Sequence, residues 1–187
     1  MSRGGLICTC RRFVLTLETV MIRALAAGVI LVLVGAAAAQ TAPGITPVIS
    51  VDIGAPLAAK IPTYGARDVD ELKTDLRNAV ARALDRAHGG PCRPTRVALI
   101  LVDATPNHPT FKQIGDNPGL DMLRSRSLGG ADILAQLQCA DGRPAHVHES
   151  YAETDIRMAR AASTWSDAEL AIDLVARRIA HGDFDRP

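Results

Sequence analysis

The sequence predicts an α+β domain in which two helices pack on one face of a mostly antiparallel, four-stranded sheet. Three observations support this prediction. Apolar residues recur at helical spacing over residues 68–87 and again over residues 166–181. Between them lie an apolar run, Arg96–Val102, and an alternating run, Ala131–Cys139, both typical of strands. An earlier strand-like segment, Pro47–Ile53, completes the predicted order β-α-β-β-β-α.

The first predicted helix follows an irregular stretch, Gly54–Ala66, and is stopped by Gly89-Gly90-Pro91. Asp68 is its predicted N-cap, with Glu71 three residues later. Its apolar stripe comprises Val69, Leu72, Leu76, Val80, Ala83, Leu84 and Ala87. In the last helix, Ser166 and Glu169 predict a capping box, and Trp165 with Leu170 predicts a hydrophobic staple. Its predicted buried stripe comprises Ala168, Ala171, Ile172, Val175 and Ile179, with Gly182 as the residue that ends the helix.

The run Ala131–Cys139 leads into a hairpin marked by Asp141-Gly142. A two-residue turn would place His146 and His148 beside the apolar residues of the preceding strand. A three-residue turn that ends at Gly142, with positive φ, places Ala145 and Val147 there instead and turns both histidines to the opposite face. We therefore predict the three-residue turn.

Residues Met21–Gln40 have the layout of a secretory signal peptide, with one arginine, an apolar run and a tail of small residues. The apolar part is shorter than the roughly 20 residues that a membrane-spanning helix needs, so cleavage is favoured. The alternative is an uncleaved anchor lengthened by residues 13–20. We expect residues 1–39 to be a leader and signal peptide, with Met21 as an alternative start, and the product to be periplasmic or secreted. Residues 40–66 then form an N-terminal strand and irregular lead, and residues 67–187 the remainder of one α+β domain.

Composition excludes one class of function. Removal of residues 1–39 takes away four of the 21 basic and one of the 20 acidic residues, which leaves a net charge of −2. The remaining aromatic residues number five, too few and too scattered for a nucleic-acid surface. We predict no nucleic-acid partner, no cofactor, and membrane contact only through the signal peptide or an uncleaved anchor.

Cys92 and Cys139 are the two cysteines that remain after cleavage, and an even number in an exported chain indicates a disulfide. Cys92 precedes the strand Arg96–Val102, and Cys139 ends the strand Ala131–Cys139. Antiparallel pairing of those strands would bring the two cysteines together.

Three sequence features support a resemblance to a known group: Asn117-Pro118-Gly119-Leu120, Ser127-Leu128-Gly129-Gly130-Ala131-Asp132, and the hairpin Cys139-Ala140-Asp141-Gly142. With the order of elements, they make residues 97–180 resemble small uncharacterised proteobacterial envelope proteins and lipoproteins. The resemblance implies an envelope location and this fold, and no catalytic residues. The lipid-attachment cysteine of such lipoproteins is absent after residues 35–40.

The long connection Ala104–Gly130 is the first candidate site, because long loops in compact domains tend to be functional or disordered. We expect Phe111, Ile114, Leu120 and Met122 to contact a partner, with a short helix over residues 120–126. The alternative is that these residues only cover an open edge of the core.

His146 and His148 are the second candidate site, because residues two apart on a strand share one face and two imidazoles can hold copper or zinc. A third ligand would have to come from His88, His108 or a neighbouring strand. The alternative is that both are ordinary surface residues.

Catalytic motifs are absent from the sequence, including G-x-S-x-G, H-E-x-x-H, the P-loop and G-x-G-x-x-G. Asp103, at the end of the central strand, and the serines Ser125 and Ser127 are the remaining candidates for chemistry. Two hypotheses follow. The favoured one is a non-enzymatic periplasmic domain that binds a protein or cell-envelope component through the long loop and an exposed sheet edge. The other is a small-molecule or metal-binding protein, or a weak hydrolase, that uses the histidine face.

Overall fold

The computed structural model describes residues 46–87, 89–159 and 162–185. The elements in chain order are β1 (Val48–Ile53), α1 (Ala55–Tyr64), α2 (Ala66–Arg86), β2 (Pro94–Thr105), α3 (Phe111–Asp116), β3 (Gly130–Cys139), β4 (Pro144–Ala152) and α4 (Ser166–His181). The predicted α+β class and four strands are confirmed, but the described residues contain four helices rather than two. The predicted leader, signal peptide and cleavage site lie outside the described residues, as does His88.

The four strands form one sheet in the order β1-β2-β3-β4. β1 pairs with β2 in parallel, whereas β2–β3 and β3–β4 are antiparallel. The sheet is therefore mixed, and the prediction of a mostly antiparallel sheet was wrong. The reason is the connection: α1 and α2 carry the chain back to the end of the sheet where β1 began, so β2 starts beside the start of β1.

α1 occupies a stretch that the sequence predicted to be irregular. Pro56 lies in its first turn, where a missing N–H costs no helical hydrogen bond, and Leu57 is fully buried. Gly65, at φ 95°, separates α1 from α2 and occupies the N-cap position predicted for Asp68. The sequence did not predict this helix, because it contains two prolines in ten residues, Pro56 and Pro62, and proline usually interrupts helices.

α2 and α4 pack together on one face of the sheet, and this contact encloses the core. The predicted stripe of α4 is confirmed, since all five residues are buried. Gly182 ends α4 in the left-handed conformation, as predicted. The predicted capping box is wrong, because Trp165 occupies the N-cap position and Ser166 is already helical. Trp165 packs edge-on against Tyr64 of α1, with ring centroids 5.7 Å apart.

The hairpin register is confirmed. Ala145 pairs with Leu137 and Val147 pairs with Ala135, both on the core face. Gly142 has a φ of 84°, as the three-residue turn requires. His146 and His148 accordingly lie on the exposed face of the sheet.

The predicted pairing of Cys92 with Cys139 is confirmed. Their sulfur atoms lie at disulfide-bonding distance, and their Cα atoms are 5.2 Å apart. The Ala140 N–H also donates to the Arg93 carbonyl, at 2.8 Å, so backbone pairing continues past the bridge. Among the described residues, no helix combines the length and apolar character needed to span a bilayer.

Candidate functional site

Exposed apolar side chains concentrate at one end of the sheet. Two loops meet there: residues 106–129, which join β2 to β3, and residues 153–165, which join β4 to α4. Together we call them the loop end. Eight large hydrophobic side chains are exposed in the described part of the chain, and six of them belong to the loop end. The six are Phe111, Met122, Leu123, Leu128, Ile156 and Met158.

The most exposed side chains of the loop end are too exposed to cover an edge of the core, and such exposure is expected of a contact surface. Leu123 is 83% exposed, Phe111 69% and Met158 68%. Of the four residues predicted to contact a partner, Phe111 and Met122 are exposed, whereas Ile114 and Leu120 are half-buried. Leu128, Ile156 and Met158 were not among the predicted site residues. Exposed apolar clusters of this kind mark interaction sites in soluble proteins.

The base of the loop end is fixed by Asn107, whose side chain is almost fully buried. Its backbone N–H donates to the Thr164 carbonyl, at 2.7 Å, which joins the two loops. Its side-chain Oδ1 accepts the Asp167 N–H at 2.8 Å, and its Nδ2 donates to the Asp167 carboxylate. Asn107 thus supplies the cap that α4 lacks at its own N-cap residue.

Gly129 lies directly against this buried amide. A methyl group at Gly129 would overlap the side chain of Asn107. The Gly129 carbonyl accepts the Glu153 N–H at 3.0 Å, and the Ser127 N–H donates to the Asn107 carbonyl at 2.8 Å. Both loops are therefore held to a common base, and their apolar tips project from a fixed support.

α3 is a second support. Thr110, fully buried, accepts the Gln113 N–H at 3.3 Å, and the Gln113 side chain accepts the Thr110 N–H at 3.0 Å. This capping box begins the short helix α3. Residues 120–126 form no helix, so the prediction of a helix there was wrong. The Asp121 carboxylate instead accepts the N–H groups of Leu123 and Arg124, each at 2.8 Å, which forms a single turn.

A basic pocket of about 520 Å³ lies between α3 and the segment 124–127. Its lining includes His108, Gln113, Leu120, Arg124 and Arg126. His108 is 7% exposed, and its Nδ1 lies 3.1 Å from the Ser125 carbonyl. This pocket was not predicted from the sequence. The sequence analysis expected residues 120–126 to form a helix, whereas one wall of the pocket is the irregular segment 124–127.

His146 and His148 both lie on the exposed sheet face, on adjacent positions of that face. The Nε2 of His148 is 2.7 Å from Oδ1 of Asp132. His108 lies in the loop end rather than beside them. Across the described residues, no group of three histidine, cysteine or carboxylate side chains is placed to hold a metal ion. The metal site stays a prediction.

Asp103 and Asp132 lie directly opposite each other on β2 and β3 and line a cleft of about 260 Å³. Lys60 of α1 binds both oxygens of Asp103, at 2.7 and 2.8 Å. Asp132 is the strand partner of Ser150, and its Oδ1 lies 2.7 Å from Nε2 of His148, but no hydrogen bond joins the His148 ring to the Ser150 hydroxyl among the described residues. A Ser-His-Asp triad needs the histidine to bond both the serine and the carboxylate, and here only the bond to the carboxylate is formed.

Ser125 and Ser127, the other candidate nucleophiles, are used within the loop. The Ser125 hydroxyl accepts the Asp121 N–H at 3.0 Å, and the Ser127 hydroxyl donates to the Pro106 carbonyl. These bonds hold the loop in shape. Both serines belong to the loop end, whereas the two histidines lie on β4.

The outer edge of β4 is covered at His146 and His148 by Asp185 and Arg178. The Asp185 N–H donates to the His146 carbonyl at 2.9 Å, and the Asp185 carboxylate accepts the His148 N–H. Arg178 donates to the His148 carbonyl at 2.7 Å and to Asp185 at 2.6 Å. This hydrogen bond from Arg178 is the main reason why the pKa of Asp185 is lowered. A partner strand could not pair with this part of β4, so strand addition would have to use the rest of β4 or the outer edge of β1.

Comparison of the chain with protein-family models, with curated proteins and with solved structures finds no match.

Proposed function

We propose that the protein is an exported, non-enzymatic domain that binds a protein or another component of the cell envelope through its loop end. The observation that supports this most is the concentration of six of the eight exposed large hydrophobic side chains on two loops at one end. Scattered single residues of this kind need no explanation, but a cluster does.

The fixed base of the loop end supports binding rather than disorder. Loops that carry function are commonly held by a rigid scaffold. The buried Asn107 and Thr110 each make several hydrogen bonds that order the loop before any partner arrives. A preordered surface loses less conformational entropy on binding, which favours affinity.

Two features support export. The sequence of residues 21–40 has the layout of a signal peptide. The bridge between Cys92 and Cys139 is of a kind that persists in oxidising compartments and is rare in the cytosol. Both agree with an envelope partner.

Differential capture in the native host tests the proposal. The unaltered chain is compared with the double variant Phe111→Ser/Leu123→Ser and with the control Val48→Ser, because Val48 is 65% exposed but lies on β1. We expect an envelope component whose recovery falls in the loop variant and not in the control. Equal recovery of every component from all three chains would contradict the proposal.

A further inference from the structure

The basic pocket of the loop end is lined by two arginines, and one carboxylate lies close to the first of them, since Asp121 accepts the backbone N–H of Arg124 at 2.8 Å. Arg124 and Arg126 both line it, and in the described part of the chain neither guanidinium makes an ion pair or hydrogen bond. Other cations of the loop end differ in this respect. Lys112 pairs with Asp116 at 2.7 Å, and Arg157 pairs with Asp155 at 2.6 Å.

Guanidinium groups are well suited to phosphate, because their planar N–H groups form two parallel hydrogen bonds to its oxygens. The volume of about 520 Å³ lies in the range of pockets that hold small organic ligands. His108 and Gln113 add further polar groups to the same wall. The pocket therefore has the charge and the size for a phosphate ester.

The exposed apolar tips lie immediately beside this pocket along the chain. Met122 and Leu123 directly precede Arg124, and Phe111 begins the helix that forms the opposite wall. A free phosphate ester would leave these apolar side chains in water. A phospholipid would engage both parts, because the arginines would meet its phosphate while the tips enter the acyl boundary.

We propose that the envelope component is an anionic phospholipid surface, with the headgroup phosphate bound by Arg124 and Arg126 and with Leu123, Met122 and Phe111 in the bilayer interface. This inference rests on the proposed function and names its partner. It makes the loop end a peripheral membrane contact, in addition to the contact through the signal peptide or an uncleaved anchor that the sequence predicted.

Vesicle binding tests the inference with the full chain. Binding to vesicles of phosphatidylglycerol and phosphatidylcholine is compared with binding to pure phosphatidylcholine by co-sedimentation. Residues 1–45 are the same in every variant, so any contribution they make to vesicle binding cancels when the variants are compared. The pocket variant is Arg124→Gln/Arg126→Gln, and its control is Arg96→Gln, an exposed arginine of β2. The tip variant is Leu123→Glu, and its control is Val48→Glu.

We expect the pocket variant to bind the anionic vesicles about thirtyfold more weakly, since each arginine near an anionic surface contributes a roughly fivefold gain. The tip variant should also lose binding, and both controls should bind like the unaltered chain. The melting temperature of each variant is also measured, and a value equal to that of the unaltered chain shows that the fold is kept.

Three results would overturn the inference. They are equal binding of the pocket variant and the unaltered chain, equal binding to anionic and neutral vesicles, and complete displacement from vesicles by free glycerol phosphate, which would indicate a soluble ligand. If vesicle binding is unaffected but the capture experiment still yields a protein lost in the loop variant, only this inference fails. If neither experiment responds to the loop end, the proposed function fails as well.

Discussion

The Asn107 side chain caps α4 from 60 positions away in the sequence, by accepting the Asp167 N–H and donating to the Asp167 carboxylate. Both side chains are buried, Asn107 at 1% and Asp167 at 0% exposed. One amide therefore joins the loop after β2 to the first turn of α4. The position of the loop end relative to the core depends on this pair.

Replacement of Asn107 by alanine should lower the free energy of unfolding by about 2–4 kcal/mol, because it removes a buried cap and one hydrogen bond to a buried carboxylate. Urea unfolding measures the change. Asn117→Ala is the control, since its side chain makes one exposed bond, to the Gly119 N–H. Equal, small losses in both variants would show that the buried pair does not hold the loop.

Gly129→Ala should lower the free energy of unfolding by about 1–3 kcal/mol, because the added methyl group overlaps Asn107. Gly115→Ala is the matched control: a methyl group there meets nothing within 4 Å. It should be neutral or slightly stabilising, as alanine is preferred over glycine in a helix such as α3. Differential scanning calorimetry of the two variants compares them directly. Similar melting temperatures would contradict the packing described around Asn107.

Loss of the disulfide should lower the free energy of unfolding by about 4 kcal/mol, because the bridge lowers the conformational entropy of the unfolded chain. The bridged cysteines are 47 residues apart. The double variant Cys92→Ser/Cys139→Ser is compared with the unaltered chain by urea unfolding, with and without reductant. Reductant should destabilise only the unaltered chain. A reductant effect on the double variant, or none on the unaltered chain, would disprove the structural role of the bridge.

Acid should weaken the contact between Asp185 and β4. The pKa of Asp185 is lowered from its ordinary value of 3.8, chiefly by the hydrogen bond from Arg178. A lowered folded-state pKa means that the ionised carboxylate stabilises the fold above its unfolded pKa, and that this stability is lost as pH falls through the folded-state value. The window lies below about pH 4 and extends downward.

Asp185→Asn removes this dependence. The melting temperature of the unaltered chain should exceed that of the variant above pH 4, and the two should converge as the pH falls further. Asp52→Asn, at an exposed position of β1, is the control and should follow the unaltered chain. A constant difference between the unaltered chain and Asp185→Asn across the whole range would contradict the role given to the carboxylate.

Local patterns in the sequence predicted the elements whose determinants are local. The stripe of α4 and the register of the β3–β4 hairpin follow from side-chain period and from Gly142, and both are confirmed. α1 was missed because Pro56 and Pro62 resemble breaks, although burial of Leu57 stabilises the helix. The parallel pairing of β1 was missed because it depends on that helical connection.

The candidate site shows the same limit. The sequence predicted partner contact or a core cover for four apolar residues of the loop between β2 and β3, and of these Phe111 and Met122 are exposed whereas Ile114 and Leu120 are half-buried. It gave no signal for the cap that Asn107 provides, because the partner lies 60 residues away, and it favoured Ser166 instead. It also missed the basic pocket, whose walls meet only once α3 is placed by Thr110 and Gln113.

Photo-cross-linking in the native host tests the central claim most directly. A photoreactive amino acid is placed at Leu123, which is 83% exposed on the loop end, and in a second chain at Val48, which is 65% exposed on β1. Binding through the loop end predicts an adduct with an envelope component from position 123 and none from position 48. No adduct from position 123, or the same adduct from both positions, would contradict it.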